Sequence, residues 1–256
     1  MARLSAHALE GIPEIRPGDD LALAIVEAAG EQGLRPGLLV AIAHTVVSKA
    51  EGALVGLASI KPGPRAMELG AQQGKDPRIV QVALDQSSEI LRAERGVLIS
   101  RTHHGFVCAN AGVDSSNAPG ADQVVILPAD PDRSARALRA RLAELAGLSG
   151  ADAPAVLISD SFGRAWRNGQ TDVAIGLAGM APLDDWRGRS DANGLELQAT
   201  WLAIADAAAG AADLARAKDS GEPVVLIEGL ERFVTPQDGP GALALMRAAD
   251  EDLFGR

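Results

Sequence analysis

The sequence predicts an α+β fold with mixed sheets, on three observations. Short apolar runs of strand length, at 38–43, 155–159 and 224–228, are bounded by Pro, Gly or polar residues. Helical stretches with capping signals lie between some of these runs but do not alternate with them one for one, as a βαβ architecture would require. No internal repeat or low-complexity linker divides the chain, so residues 1–256 are read as one unit, built of two lobes whose boundary the sequence does not mark.

Each element has its own signal. Residues 3–9 alternate loosely and read as a strand leading into Glu10-Gly11-Ile12-Pro13. Asp19-Asp20 precedes an apolar run from Leu21, which reads as a helix with an Asp N-cap and Gly30 or Gly33 near its end. Pro36-Gly37 introduces the strand at 38–43. Asp76-Pro77 is a helix start, and the pattern extends that helix to about Arg95. Strands at 97–100 and 106–109 flank a turn at His103-His104-Gly105, and another strand at 124–127 ends at Pro128. An amphipathic helix runs from Asp132 to Ala146 and stops at Gly147. The strand at 155–159 delivers Asp160-Ser161. An Ala-rich helix over 196–218, a strand at 224–228 and a helix from about 240 to 254 complete the chain, with 62–70 and 182–194 the least ordered segments.

Composition narrows the function. Apolar residues make up 47% of the chain, enough for a folded core, but only 3% are aromatic and Tyr is absent, so Ala, Leu and Val must build it. The net charge of -10 disfavours nucleic-acid binding, which needs a basic face, while leaving room for a nucleotide whose charge is met locally. One cysteine, Cys108, excludes an internal disulfide and fits a reducing compartment. The first residues lack the apolar run of a signal peptide, and no stretch approaches membrane-spanning length, so a cytoplasmic protein without a membrane partner is expected.

Four polar segments stand out. In Thr45-Val46-Val47-Ser48-Lys49-Ala50-Glu51-Gly52, a Lys just past a strand can meet a phosphate, or can simply cap the strand end in solvent. The stretch from Cys108 to Asn117 carries Asp114, two hydroxyls and two amides, a hard-oxygen set suited to Mg²⁺ or Mn²⁺, or to a self-satisfied turn. From Ile158 to Gln170, Asp160 and Ser161 at a strand end are followed by Arg164 and Arg167, which suit phosphate or carboxylate contacts; alternatively, Asp160 caps a turn. Lys218 to Pro223 reads as a helix-stop loop. His103 and His104 lack zinc-site spacing, and neither GxSxG nor GxGxxG occurs. Asp114 and Asp160 form the best polar nucleus.

In order along the chain, Glu10-Gly11-Ile12-Pro13, Gly18-Asp19-Asp20-Leu21, Val47 to Gly52, His104 to Asn117, Ser159 to Gln170, Ala174-Ile175-Gly176 and Asp185-Trp186-Arg187-Gly188 resemble the coenzyme F420-0:gamma-glutamyl ligase family. The resemblance implies an intertwined homodimer that uses GTP, L-glutamate, a deazaflavin substrate and a divalent metal, Mn or Mg, with a monovalent cation as a further candidate. It implies Asp114, Asp160 and Ser161 as metal ligands, and Ile12, Pro13, Glu14, Ile15, His44, Thr45, Lys49, Asn117, Lys218, Ser220 and Gly221 around the nucleotide. Arg164 and Arg167 are assigned to substrate or phosphate in catalysis.

The reaction implied is phosphorylation of a substrate carboxylate to an acyl phosphate, then attack by the glutamate amine. Two departures stand out. A Met-Gly pair followed by Glu or Gln, usual after the long helix, reads Arg216-Ala217-Lys218 here, and a protonated Lys does not ligate a metal. The usual Ala-Asp-Glu reads Ala205-Asp206-Ala207. Some relatives continue into a fused flavin domain, whose activity is not expected here. Two alternatives remain beside the working ligase: a related ligase with another acceptor, and a nucleotide-binding dimer without catalysis.

Overall fold

A computed structural model describes residues 3–248 and 250–252. Its centre is a five-stranded mixed sheet of β1 (Ser5–Ala8), β2 (Leu39–Ala43), β8 (Ala155–Arg164), β9 (Arg167–Ala178) and β12 (Val224–Glu228), in the order β1-β12-β2-β8-β9. Only β2 and β8 run parallel; the other neighbours are antiparallel. Because side chains alternate along a strand, both faces of the sheet are used. Val40 and Ile42 join Ile25 of α1 (Leu21–Ala29) and Leu142 of α5 (Pro131–Ala146) in one core. Leu39 and Ala41 join Ala205, Ala208, Ala209 and Ala212 of α6 (Ile204–Ala215) in the other. The two-sided burial explains why these strands read as continuous apolar runs, and α6 is Ala-rich on the face it buries.

A smaller core of Leu57, Val82 and Val124 lies among the remaining elements. Around it are the pair β3 (Leu54–Gly56) and β7 (Gln123–Val125), the helices α3 (Pro64–Gln73) and α4 (Pro77–Asp85), and the antiparallel sheet β4 (Ser87–Glu94), β5 (Val97–Thr102), β6 (Val107–Ala109). Between β9 and α6, β10 (Leu183–Asp185) pairs with β11 (Trp201–Ala203). Among the described residues no helix is long and apolar enough to cross a membrane.

Several expected elements differ. The helix from Asp76 stops at Asp85, and residues 87–94 form β4 instead. Arg95 and Gly96, at φ 53° and 78°, make the left-handed turn that folds β4 back on β5. Pairing with β5 outweighs the helix preference of Leu91, Arg92, Ala93 and Glu94. The segment at 62–70 is ordered, since α3 starts at Pro64 and ends at a left-handed Gly74. Of the helix expected over 196–218, only Ile204–Ala215 is helical, because 201–203 are taken by β11. In place of the helix from 240 there is one 3-10 turn, Ala242–Leu245, and the described residues beyond it are irregular. Residues 249, 253 and 254 of that expected helix lie outside the described residues.

Candidate functional site

The parallel pairing of β2 with β8 builds the site. Ala43 stands opposite Ser159 at the end of the ladder, so the next residue of each strand, His44 and Asp160, emerges at the same edge. His44 begins α2 (His44–Ala50), and its Nε2 lies 3.4 Å from Asp160 Oδ1. Here an open cavity of about 500 Å³ is lined by the 12–15 loop, the start of α2, most of residues 108–117, the end of β8, Asp172 of β9, and residues 216–218 and 221–223. Lys49, read from the sequence as lying just past a strand, sits within α2 and is buried rather than capping the strand end in solvent. It is 7% exposed and donates to Glu14 Oε1 at 2.7 Å.

The carboxylates around the cavity differ in their partners. Burial, with the charges of Asp172 and Asp114 added, pushes the Asp160 carboxyl above the usual range against the pull of His44 and the Ser161 N–H. Burial also acts on Asp114, but Ser116 and Asn117 outweigh it and hold this group below the usual value. Ser116 N and Oγ each donate to Asp114 Oδ1 at 2.7 Å, and Asn117 Nδ2 donates to Oδ2 at 2.8 Å. Asp172 is buried, yet the Arg216 guanidinium, the hydroxyls of Ser161 and Ser159 and Lys218 carry its carboxyl downward. Ser159 and Ser161 share one face of β8, two residues apart, and their Oγ atoms donate to Asp172 at 2.7 and 2.6 Å.

The donor set suits a hard divalent cation. Asp160 is a desolvated carboxylate beside two further acids, an arrangement that a cation relieves. Among the described residues no three His, Cys, Asp or Glu side chains form a ready metal shell. Mg²⁺ and Mn²⁺ fit such a site, because one or two carboxylates suffice when water and substrate oxygens complete the coordination. Asp114 and Asp160 would hold the ion. The Ser161 hydroxyl is already engaged, donating to Asp172 and accepting from Lys218 Nζ at 2.8 Å.

Most residues singled out from the sequence converge here: Ile12, Pro13, Glu14, Ile15, His44, Thr45, Lys49, Asp114, Asn117, Asp160, Ser161, Lys218 and Gly221 all line the cavity. Ser220 does not, and its hydroxyl donates to Ala217 O at 3.0 Å. Arg164 and Arg167 lie outside the lining, at the exposed tip of the β8–β9 hairpin, where Arg164 Nη2 donates to Asn168 O at 2.6 Å. Among the cavity residues that sequence reasoning missed is Asp172. Its signal was a lone acid heading the apolar run 173–178. The left-handed turn at Asn110 and Ala111, φ 52° and 55°, was also not foreseen; it brings Asn110 to the cavity wall, where Lys75 Nζ donates to its Oδ1 at 2.7 Å.

By its similarity to known proteins, this chain belongs to a ligase family. The sequence model of the F420-0:gamma-glutamyl ligase family matches residues 11–229, and the chain belongs to that family. It is 45% identical to the coenzyme F420:L-glutamate ligase of Methanopyrus kandleri over 259 residues, covering 99% of this chain and 100% of the relative. Relatives of the same name in Methanothermobacter thermautotrophicus and Haloarcula marismortui are 41% and 38% identical, covering 98% of this chain and 98% and 95% of their own lengths. The family resemblance read from the motifs is borne out.

Proposed function

We propose that this protein joins L-glutamate to the deazaflavin precursor of coenzyme F420 in a GTP-dependent reaction. The observation that carries the reading is one cavity holding Asp114, Asp160 and the buried Lys49, in a chain whose family is named for this chemistry. In the first step a carboxylate oxygen of the deazaflavin attacks the γ-phosphorus of GTP, GDP leaves, and an acyl phosphate forms. In the second, the glutamate amine attacks the acyl carbon, phosphate departs, and the amine loses its proton to give the amide. Lys49, held nearly without water, exchanges its Glu14 partner for phosphate oxygens and offsets their charge. A divalent ion, Mn or Mg, would be held by Asp114 and Asp160 and would offset negative charge on the phosphoryl group being transferred. Ile12, Pro13 and Ile15 shape the nucleotide end, with His44, Thr45, Asn117 and Gly221 close by.

The enzyme is further assigned to the cytoplasm and to a homodimer. Incubation with GTP, Mn²⁺, L-glutamate and the precursor should release GDP and add glutamate mass to the deazaflavin. Absence of both products would sink the reading. GDP release that requires a different acceptor would reassign the substrate and leave the ligase chemistry in place.

A further inference from the structure

Among the acids lining the cavity, Asp172 is not equivalent to Asp114 and Asp160. Asp172 has no exposed side-chain surface, and both of its oxygens are taken. Oδ1 accepts from Ser161 Oγ at 2.6 Å, with Lys218 Nζ at 3.6 Å. Oδ2 accepts from Ser159 Oγ at 2.7 Å and from the Arg216 guanidinium. That guanidinium is itself held by Ser159 Oγ at 3.1 Å and Pro223 O at 3.2 Å. Asp160 and Asp114 have no such partner: among the described residues no Lys or Arg lies within ion-pair distance of either. The contacts of Asp114 are neutral Ser116 and Asn117 donors that an incoming ion can displace.

We propose that Arg216 and Lys218, paired with Asp172, supply positive charge at one end of the cavity, so that the site takes a single divalent ion, at Asp114 and Asp160. A second ion at Asp172 would have to expel a buried guanidinium and leave it unpaired, a large cost. Lys218 is the outward half of this device. Its ammonium is mostly exposed, hydrogen-bonds Ser161 Oγ at 2.8 Å and Asp213 Oδ1 at 2.7 Å, and faces the cavity beside Asp160, where it contacts an anionic substrate group. The inference rests on the ligase reading of Asp114 and Asp160 as the metal position.

The test is a Mn²⁺ titration of the full chain with GTP present, read by calorimetry and by the spin-resonance signal of free Mn²⁺. The native protein is expected to bind one Mn²⁺ per chain. Asp160→Asn should lose that ion and Asp172→Asn should keep it. The double substitution Arg216→Gln with Lys218→Gln should bind a second. Two ions on the native protein, or loss of the ion in a folded Asp172→Asn protein, would overturn the inference, as would a folded double variant that stays at one. Should the variants fail to fold, the native stoichiometry decides alone. Native protein that binds two ions and still adds glutamate refutes this inference only. One that binds one ion and adds none refutes the ligase reading instead.

Discussion

On the proposed reading, Lys49 is the single side chain on which GTP binding most depends. Its stem is buried and its ammonium meets the cavity, so Lys49→Met keeps the packing and removes only the charge. A charge-assisted hydrogen bond is worth about 1.5–3 kcal/mol, so the Kd for GTP should rise by roughly 10- to 150-fold by calorimetry. An unchanged Kd would move the phosphates away from Lys49. Cys108 lines the same cavity but is chemically quiet. Burial, with the Asp160 charge added, pushes its thiol up to about 12. At pH 8 iodoacetamide should leave Cys108 intact in the folded protein and alkylate it in denaturant, as mass spectrometry will show. At the residue scale, a place at the cavity was legible in the sequence where a motif carried it, as at Asp114 and Asp160. It failed at Asp172, because this acid gains its meaning only when β9 lies against β8 and sets it opposite Ser161.

Two aspartates on helices give opposite responses to pH. At α1, the Leu23 N–H and then Arg141 hold the Asp20 carboxyl low. Its stabilisation is present above the unfolded value of about 3.9 and is lost as pH falls through the folded pKa. Asp20→Ala should therefore cost about 0.5–2 kcal/mol in denaturant titrations at pH 7, and the difference should vanish in strong acid. Asp206 on α6 is raised by burial, despite the Ala174 N–H that donates to it at 3.0 Å. Its contribution is fully present below the unfolded value and is lost as pH rises through the folded pKa. Asp206→Asn keeps an acceptor for Ala174 N and should raise stability at pH 7, with the gain fading below about pH 3.9. A loss at pH 7 would show that the charge at this site is compensated. Elements were legible where local signals agreed, as for α1 with its Asp20 cap and α5 with Gly147. They were missed where distant pairing overrode propensity, as in β4, which depends on β5, and β11, which depends on β10.

At the scale of the molecule, Arg139 ties separate parts of the chain together. It is 5% exposed and donates to Pro154 O at 3.1 Å, Thr235 O at 2.9 Å and Pro236 O at 3.2 Å, and pairs with Asp238 at 2.7 Å. Arg139→Met removes every one of these donors and strands the buried Pro154 carbonyl. Hydrogen exchange should show the segment 233–245 losing protection first, while β2 and β8 remain protected; simultaneous loss across both would mean that the segment is not a separate unit.

The sheet order also sets a sequence of events in time. Strand β12 lies between β1 and β2, so residues near the two ends of the chain close one hydrogen-bonded layer. While the chain is being made, β1 has no neighbour and β2 keeps an open edge until residues 224–228 leave the ribosome. The cavity, assembled from Ile12 through Pro223, is delayed in the same way. Partial products therefore present unpaired strand edges of the kind that recruit other chains. The nascent protein depends on rapid completion, or on protection by chaperones, far more than the finished one.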